Sequence, residues 1–223
     1  MIPKIIHQIW IQGVDEVPEY FKPWMDKWKE LHPNWEHKFW DKDSINKLLS
    51  EHYPEYVEYF NEKLSLIKKC DFSRYILLLH FGGMYCDIDM YPLSSIDELI
   101  KKIKLDEYDT TFIYEVSMIG VNNSWILSKS NSSALQSCFD ETLKKDYLST
   151  FNQFGLIHMQ QWTAKNENNK DYKYHILHWY YSHNEELKKG RKIEVPNDPN
   201  PKVYIRHDHR YHSEHRKNWN KYI

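Results

Sequence analysis

Cysteine is scarce in this chain, with Cys70, Cys86 and Cys138 the only thiols among 223 residues. Three thiols cannot all pair, and none lies in a Cys-x-x-Cys arrangement. This argues against a disulfide scaffold and a cysteine-based zinc site. The three are expected as small core hydrophobes in a reducing compartment. An excess of one charge sign is lacking too. Acids and bases nearly cancel, 32 against 30, leaving a formal charge of -2 and too weak a field to recruit nucleic acid. No apolar run approaches the roughly 18 residues a membrane span needs. The opening Met1-Ile2-Pro3-Lys4-Ile5-Ile6-His7 has too short an apolar stretch for a signal peptide and no small-residue cleavage site. A cytoplasmic protein without a membrane span is therefore the expectation. Internal repeats and low-complexity segments are absent as well.

What is present reads as an ordinary globular chain, 41% hydrophobic and 28% charged, long enough to bury one good core. Ile2 to Trp10 predicts a buried strand, Pro23 to Leu31 a short helix, and Trp35 to Trp40 a second strand. Asp43 or Ser44 is placed to cap a helix through Leu49, with another helix over Pro54 to Phe60. Leu64 to Phe81 is the longest helical pattern and is apolar nearly all round in its second half, so it belongs at the centre of the domain. Gly82-Gly83 stops it, Tyr85 to Ile88 follows as a short strand, and Ser94 or Ser95 opens a small helix. Thr110 to Val116 and Trp125 to Ser128 are strand candidates, followed by a helix from Ser132 to about Leu148. Lys165 to Lys170 reads as a loop. Tyr174 to Tyr181 and Lys202 to Ile205 are weaker strand candidates. Strands alternating with helices imply an α/β domain with a mostly parallel central sheet flanked by helices.

Two constellations carry chemistry. On an extended segment Asp87 and Asp89 point to one side, and hard carboxylate oxygens suit Mg²⁺ or Mn²⁺ shared with phosphate. A bare Asp-x-Asp is usually a solvated strand end; a buried helix, two glycines and a strand before it weaken that account. Asp71 and Arg74, three residues apart, share a helix face. That helix is too apolar to leave much solvated face, and a buried charge needs a partner. Aspartate accepting from sugar hydroxyls, and arginine facing a phosphate or sugar hydroxyl, would supply one.

In order, Ile2-Pro3-Lys4-Ile5-Ile6-His7-Gln8-Ile9-Trp10, Asn34-Trp35, Phe39-Trp40-Asp41, Asp71-x-x-Arg74-Tyr75 and Gly82-Gly83-Met84-Tyr85-Cys86-Asp87-Ile88-Asp89 resemble the landmarks of glycosyltransferase family 32. That group carries a DXD motif and includes α-1,6-mannosyltransferases and capsule enzymes; glucosylating toxin domains are more distant. The resemblance implies a GT-A fold as a single domain over 1–223. Residues 1–90 would be the nucleotide- and metal-binding half, and about 91–223 the acceptor side and closing segment. It also implies transfer with retention from a nucleoside-diphosphate sugar, UDP- or GDP-linked, to a glycan or glycoconjugate acceptor, with Mn²⁺ or Mg²⁺ as cofactor.

Carried over by residue, Asp87 would meet the ribose and the metal, Asp89 would ligate the metal, and Asp71 and Arg74 would hold the donor sugar. Trp10 would lie against the base, at a strand end where open α/β sheets bind ligands; core packing is the alternative. Tyr85 and Asn122, or its neighbour Asn123, are further substrate-side candidates. His207 and Trp219 are candidates for a late histidine and tryptophan that close over the metal and diphosphate, although their spacing departs from the family's. The cluster His207, His209, His212 and His215 lacks a regular element that would make it a zinc site. A non-catalytic carbohydrate-binding protein and a metal-dependent phosphatase or nuclease are the competing classes. The first needs no metal–diphosphate site; the second would need a further metal-ligand cluster.

Overall fold

A computed structural model describes residues 1–115, 120–144, 153–182 and 202–207. The strands are β1 (Ile5–Ile9), β2 (Glu36–Trp40), β3 (Gly83–Cys86), β4 (Met90–Pro92), β5 (Thr110–Glu115), β6 (Gly120–Ser128), β7 (Tyr174–Leu177) and β8 (Ile205–His207). The helices are α1 (Lys22–Leu31), α2 (Lys42–His52), α3 (Leu66–Phe81), α4 (Ile96–Ile103), α5 (Ser133–Leu143) and α6 (Leu156–Asn166). Six strands form a sheet in the order β2-β1-β3-β6-β5-β7, and β4 pairs with β8 in a separate ribbon. In the sheet five strands run one way and β6 runs against them, which makes it mostly parallel. None of the described helices is long and apolar enough to cross a membrane.

Alternation along the central strands feeds two cores. Tyr85 and Ile126 join α3, α5 and α6 on one face, while Met84, Cys86, Trp125 and Leu127 join Trp28 of α1 and Leu99 of α4 on the other. The α3 segment from Asp71 to Leu79 is buried without a break, as its all-round apolarity predicts. Each large apolar side chain it buries contributes about 1.5–3 kcal/mol. α3 meets β3 with one residue between them. Gly82 and Gly83 take φ of +66° and +98°, and a Cβ at Gly83 would sit 2.5 Å from the Ile5 carbonyl oxygen. Only glycine enters the sheet at this angle and this closeness.

Several boundaries differ from expectation. α2 is capped by Asp41, whose carboxylate accepts from the Ser44 amide, and it continues to His52. Pro54–Tyr56 and Tyr59–Lys63 are a 3₁₀ turn and a π turn in place of one helix. β6 begins at Gly120, so Asn122 and Asn123 lie inside a strand and not before it. α6 has no counterpart in the sequence reading, because its polar and apolar residues show little helical period. β7 stops at Leu177, and the last strand among the described residues is Ile205–His207, later than Lys202 to Ile205. Residues 145–148 of the expected Ser132 helix lie outside the described residues. Cys86 and Cys138 are buried core residues, and Cys70 is half-buried and packs against the core that contains Cys138.

His7 ties this framework together. Its Nε2–H donates to the Gly82 carbonyl at 2.9 Å, and its Nδ1 accepts from Trp40 Nε1 at 3.1 Å. Burial lowers its pKa from 6.5 to about 4. The unfolded chain therefore binds a proton on His7 below pH 6.5 that the folded chain refuses, and folding stability falls as pH drops from 6.5 toward 4. The full loss from this group is about 3 kcal/mol. His37, lowered by burial to about 4 as well, adds to the slope. A His7→Gln variant should lose stability less steeply across this window; thermal unfolding at stepped pH measures the slope, and an unchanged slope removes His7 as the cause.

Candidate functional site

Four elements converge on one place. α3 carries Asp71 and Arg74 one turn apart, β3 leads through Tyr85 to Asp87 and Asp89, β6 brings Asn123, and β8 brings His207. The two acidic residues do not sit on extended backbone as expected. β3 ends at Cys86, and Asp87 to Met90 form a turn in which the Met90 amide donates to the Asp87 carbonyl at 3.1 Å. The Asp87 amide donates to the Ser124 carbonyl at 2.8 Å, which anchors the turn to β6. Chain reversal, not strand alternation, brings the two carboxylates together. One ligand atom each from Asp87, Asp89 and His207 lie within 4.8 Å of one another. His207 Nε2 stands 3.3 Å from Asp89 Oδ1.

Arg74 is the cation of the site and is 5% exposed. Its Nη2 lies 2.9 Å from Asp71 Oδ1 and 3.4 Å from Asp87 Oδ1, and its Nη1 donates to the Asn123 carbonyl at 2.6 Å. Its guanidinium carbon sits 4.5 Å from the centre of the Tyr85 ring. Tyr85 in turn donates its hydroxyl to Asp87 Oδ1 at 2.6 Å, so one tyrosine both faces the arginine and aims the carboxylate. Asp71, 6% exposed, also accepts from Asn123 Nδ2 at 3.0 Å. Burial pushes the Asp71 carboxyl up to about 6 against the pull of Arg74. Burial raises Asp87 also, opposed by Arg74 and reinforced by Asp89. This is a cluster with more acid than base, the condition under which a cation is attracted.

The other candidates divide. Trp10 is half-buried just past the end of β1 and packs against a small core of Val17, Phe21, Met25 and Ile88, which includes the middle residue of the Asp-Ile-Asp turn. Its indole Nε1 is buried with no hydrogen-bond partner among the described residues. Asn123 joins the Asp71–Arg74 group, whereas the Asn122 side-chain oxygen accepts from the Ser124 amide and hydroxyl at 3.0 and 2.6 Å. The cause is an irregularity in β6: pairing jumps from Phe112↔Ile126 to Ile113↔Asn122. Strict alternation from Ile126 would have sent Asn123 to the opposite face. The Phe154 carbonyl, which accepts from Asn123 Nδ2 at 3.1 Å, was not foreseen, and no sequence signal marks it. Trp219, His209, His212 and His215 lie outside the described residues.

Residues 18–106 match the family described as the glycosyltransferase sugar-binding region containing DXD motif. Over that stretch the chain is similar to this family. The uncharacterized glycosyltransferase L373 of Acanthamoeba polyphaga mimivirus is 38% identical over 101 residues, 45% of this chain and 40% of that protein. Inositol phosphoceramide mannosyltransferase 2 of Schizosaccharomyces pombe is 31% identical over 123 residues, 55% of this chain and 33% of that protein. Each match spans less than half the length of the relative. Among solved structures, a glycosyltransferase involved in glycosylation of the major capsid of PBCV-1 superposes with TM-score 0.55 at 10% identity, covering 98% of this chain and 100% of that one. The UDP-bound glycosyltransferase domain from the YGT toxin gives 0.51 at 10% identity, covering 78% and 79%. At such identities the likeness is one of fold, and the fold is GT-A-like.

The geometry predicts unequal consequences for the Asp71–Arg74 pair. In Asp71→Asn the arginine keeps Asp87, the Asn123 carbonyl and the Tyr85 ring, and a carboxylate costly to bury is gone. Stability at pH 7 should stay within about 1 kcal/mol of wild type. Arg74→Met leaves two carboxylates facing each other without their cation and should lose about 3–5 kcal/mol. Urea denaturation measures both, and equal losses would contradict this arrangement.

Proposed function

We propose that this chain supplies the donor-binding and catalytic core of a metal-dependent, retaining glycosyltransferase. It moves a hexosyl group from a nucleoside-diphosphate sugar to a hydroxyl on a glycan or glycoconjugate. The observation that carries this is the meeting of Asp87, Asp89 and His207 within 4.8 Å beside the Arg74 guanidinium. Two carboxylates and an imidazole fit a divalent cation, and the nitrogen donor favours Mn²⁺ over Mg²⁺. A cation held there supplies charge neutralisation for the departing diphosphate.

The chain's own residues do the rest. Asp89 and His207 hold the cation, and Asp87 shares it and meets the ribose, kept in aim by the Tyr85 hydroxyl. Asp71, Arg74 and Asn123 grip the donor sugar, Trp10 lies against the base, and Trp219 is assigned to donor binding as well. Asp71 Oδ1 already serves two donors, which supports a binding role over that of a covalent nucleophile. The bond from the anomeric carbon to the phosphate oxygen breaks as the acceptor oxygen bonds on the same face, and the acceptor's proton passes to an oxygen of the leaving phosphate. The donor half is residues 1–90 and the acceptor side lies beyond, although Asn123 and His207 reach back to complete the site. Relatives named as mannosyltransferases support mannose among the transferable hexoses. Free thiols at Cys70, Cys86 and Cys138 support a reducing, cytoplasmic compartment. Among the described residues only one cluster of three metal-type ligands occurs, which speaks against a two-metal phosphatase or nuclease.

Asp89→Asn should abolish Mn²⁺-dependent donor hydrolysis while leaving the melting temperature near wild type. A variant that turns over donor at the wild-type rate would overturn the metal assignment. Trp10→Ala should weaken nucleoside-diphosphate binding by about 1–3 kcal/mol, the range for base–aromatic stacking. If calorimetry finds normal binding in a folded but less stable variant, Trp10 is a core residue.

A further inference from the structure

Next to the metal ligands lies a second group of side chains that the proposed reaction does not use. Arg206 precedes His207 on β8, and in the β4–β8 ribbon it stands opposite Tyr91. Its guanidinium carbon is 5.0 Å from the Tyr91 ring centre and 5.9 Å from that of Trp24 on α1. Trp24 and Tyr91 meet edge to face at 5.6 Å, and Tyr20 extends the aromatic surface at 5.6 Å from Trp24. Tyr20 is 44% exposed, so the surface opens to solvent. Unlike Arg74, Arg206 has no carboxylate within 4.0 Å among the described residues. Its Nε is buried without a hydrogen-bond partner there.

Aromatic rings beside a guanidinium attract its charge and shield its faces, while its N–H edges still call for acceptor oxygens. Those edges match the oxygens of a phosphate or carboxylate in a bidentate fork. The partly exposed rings of Trp24 and Tyr91 suit the apolar face of a sugar. A site for neutral sugars would need the rings alone; the cation adds a demand for an anion. Adjacent α-carbons are about 3.8 Å apart, so Arg206 lies within one sugar unit of His207. Alternation along β8 turns the two side chains to opposite faces. The surface therefore adjoins the reaction centre but faces away from it, which suits an acceptor unit beyond the one that reacts.

We propose that Trp24, Tyr91 and Arg206 form an acceptor subsite for a sugar unit bearing an anionic group, phosphate or carboxylate. This rests on the transferase reading for its place in the reaction, but the recognition itself needs neither donor nor metal. It can therefore be tested separately, on the full chain in the presence of EDTA. Titration calorimetry with glucose 6-phosphate, glucuronate, glucose and inorganic phosphate should show at least one charged sugar binding 10-fold or more tighter than both glucose and phosphate. Whether the phosphate or the carboxylate form carries that preference identifies the anion. Arg206→Gln should reduce the preference below 2-fold, and Arg206→Lys, which keeps the charge but loses the fork, should leave an intermediate one. Asp89→Asn should retain it in full, so loss of transfer and loss of this subsite read out independently. Equal binding of glucose, equal binding of phosphate alone, or an unchanged preference in a folded Arg206→Gln protein would overturn the proposal.

Discussion

Burying Arg74 on a helix that is apolar nearly all round leaves its guanidinium no water to face, so the surrounding groups must supply its hydrogen bonds. Three elements answer that demand. Asp71 comes from the preceding turn of the same helix, the Asn123 carbonyl from β6, and Asp87 from the turn after β3. Tyr85 covers the cation with its ring and spends its hydroxyl on the same Asp87 oxygen that Arg74 approaches. The arginine thus orients the carboxylates that are proposed to act and offsets part of their mutual repulsion. Burial outweighs the arginine's pull, and both Asp71 and Asp87 stay raised above the ordinary aspartate value. A site held in this state is pre-organised for a cationic partner.

The framework behind it is rigid for reasons of backbone space. Gly82 and Gly83 let α3 turn into β3 with one residue between them, and the Ile5 carbonyl lies too close to Gly83 for any side chain. His7, held in one neutral tautomer between the Gly82 carbonyl and the Trp40 indole, ties that junction to β1 and β2. The helix bearing Arg74 and the strand leading to Asp87 are therefore set at a near-fixed distance. The ribbon of β4 and β8 then returns a late part of the chain, His207, to Asp89. The same return brings Arg206 against Trp24 and Tyr91, so one strand pairing serves two neighbouring surfaces.

Much of this was legible in the residues themselves. The order of the helices and strands up to β3, the central burial of α3 and the choice of Asp71, Arg74, Asp87 and Asp89 follow from apolar period, glycine stops and local charge spacing. Each is set within one or two turns of chain. The boundaries that went astray have local causes as well. Asp41 competes with Asp43 and Ser44 as a cap because all three can accept from a helix amide, and α6 hides because its period is weak.

What the residues alone determined is a buried helix carrying an ion pair, ended by two glycines and followed by two acids one residue apart. Tertiary structure decided the rest. The bulge in β6 turned Asn123, and not Asn122, toward Asp71, because pairing with β5 skips residues that no local period marks. A turn, not a strand, brought Asp87 and Asp89 together, because the Asp87 amide is held by Ser124 from β6. His207 reached the two acids through antiparallel pairing across more than a hundred residues, and such a pairing leaves no trace in a local sequence window. Spacing along the chain is information about neighbours within a turn or a strand; which distant groups share a site depends on how the sheet is paired.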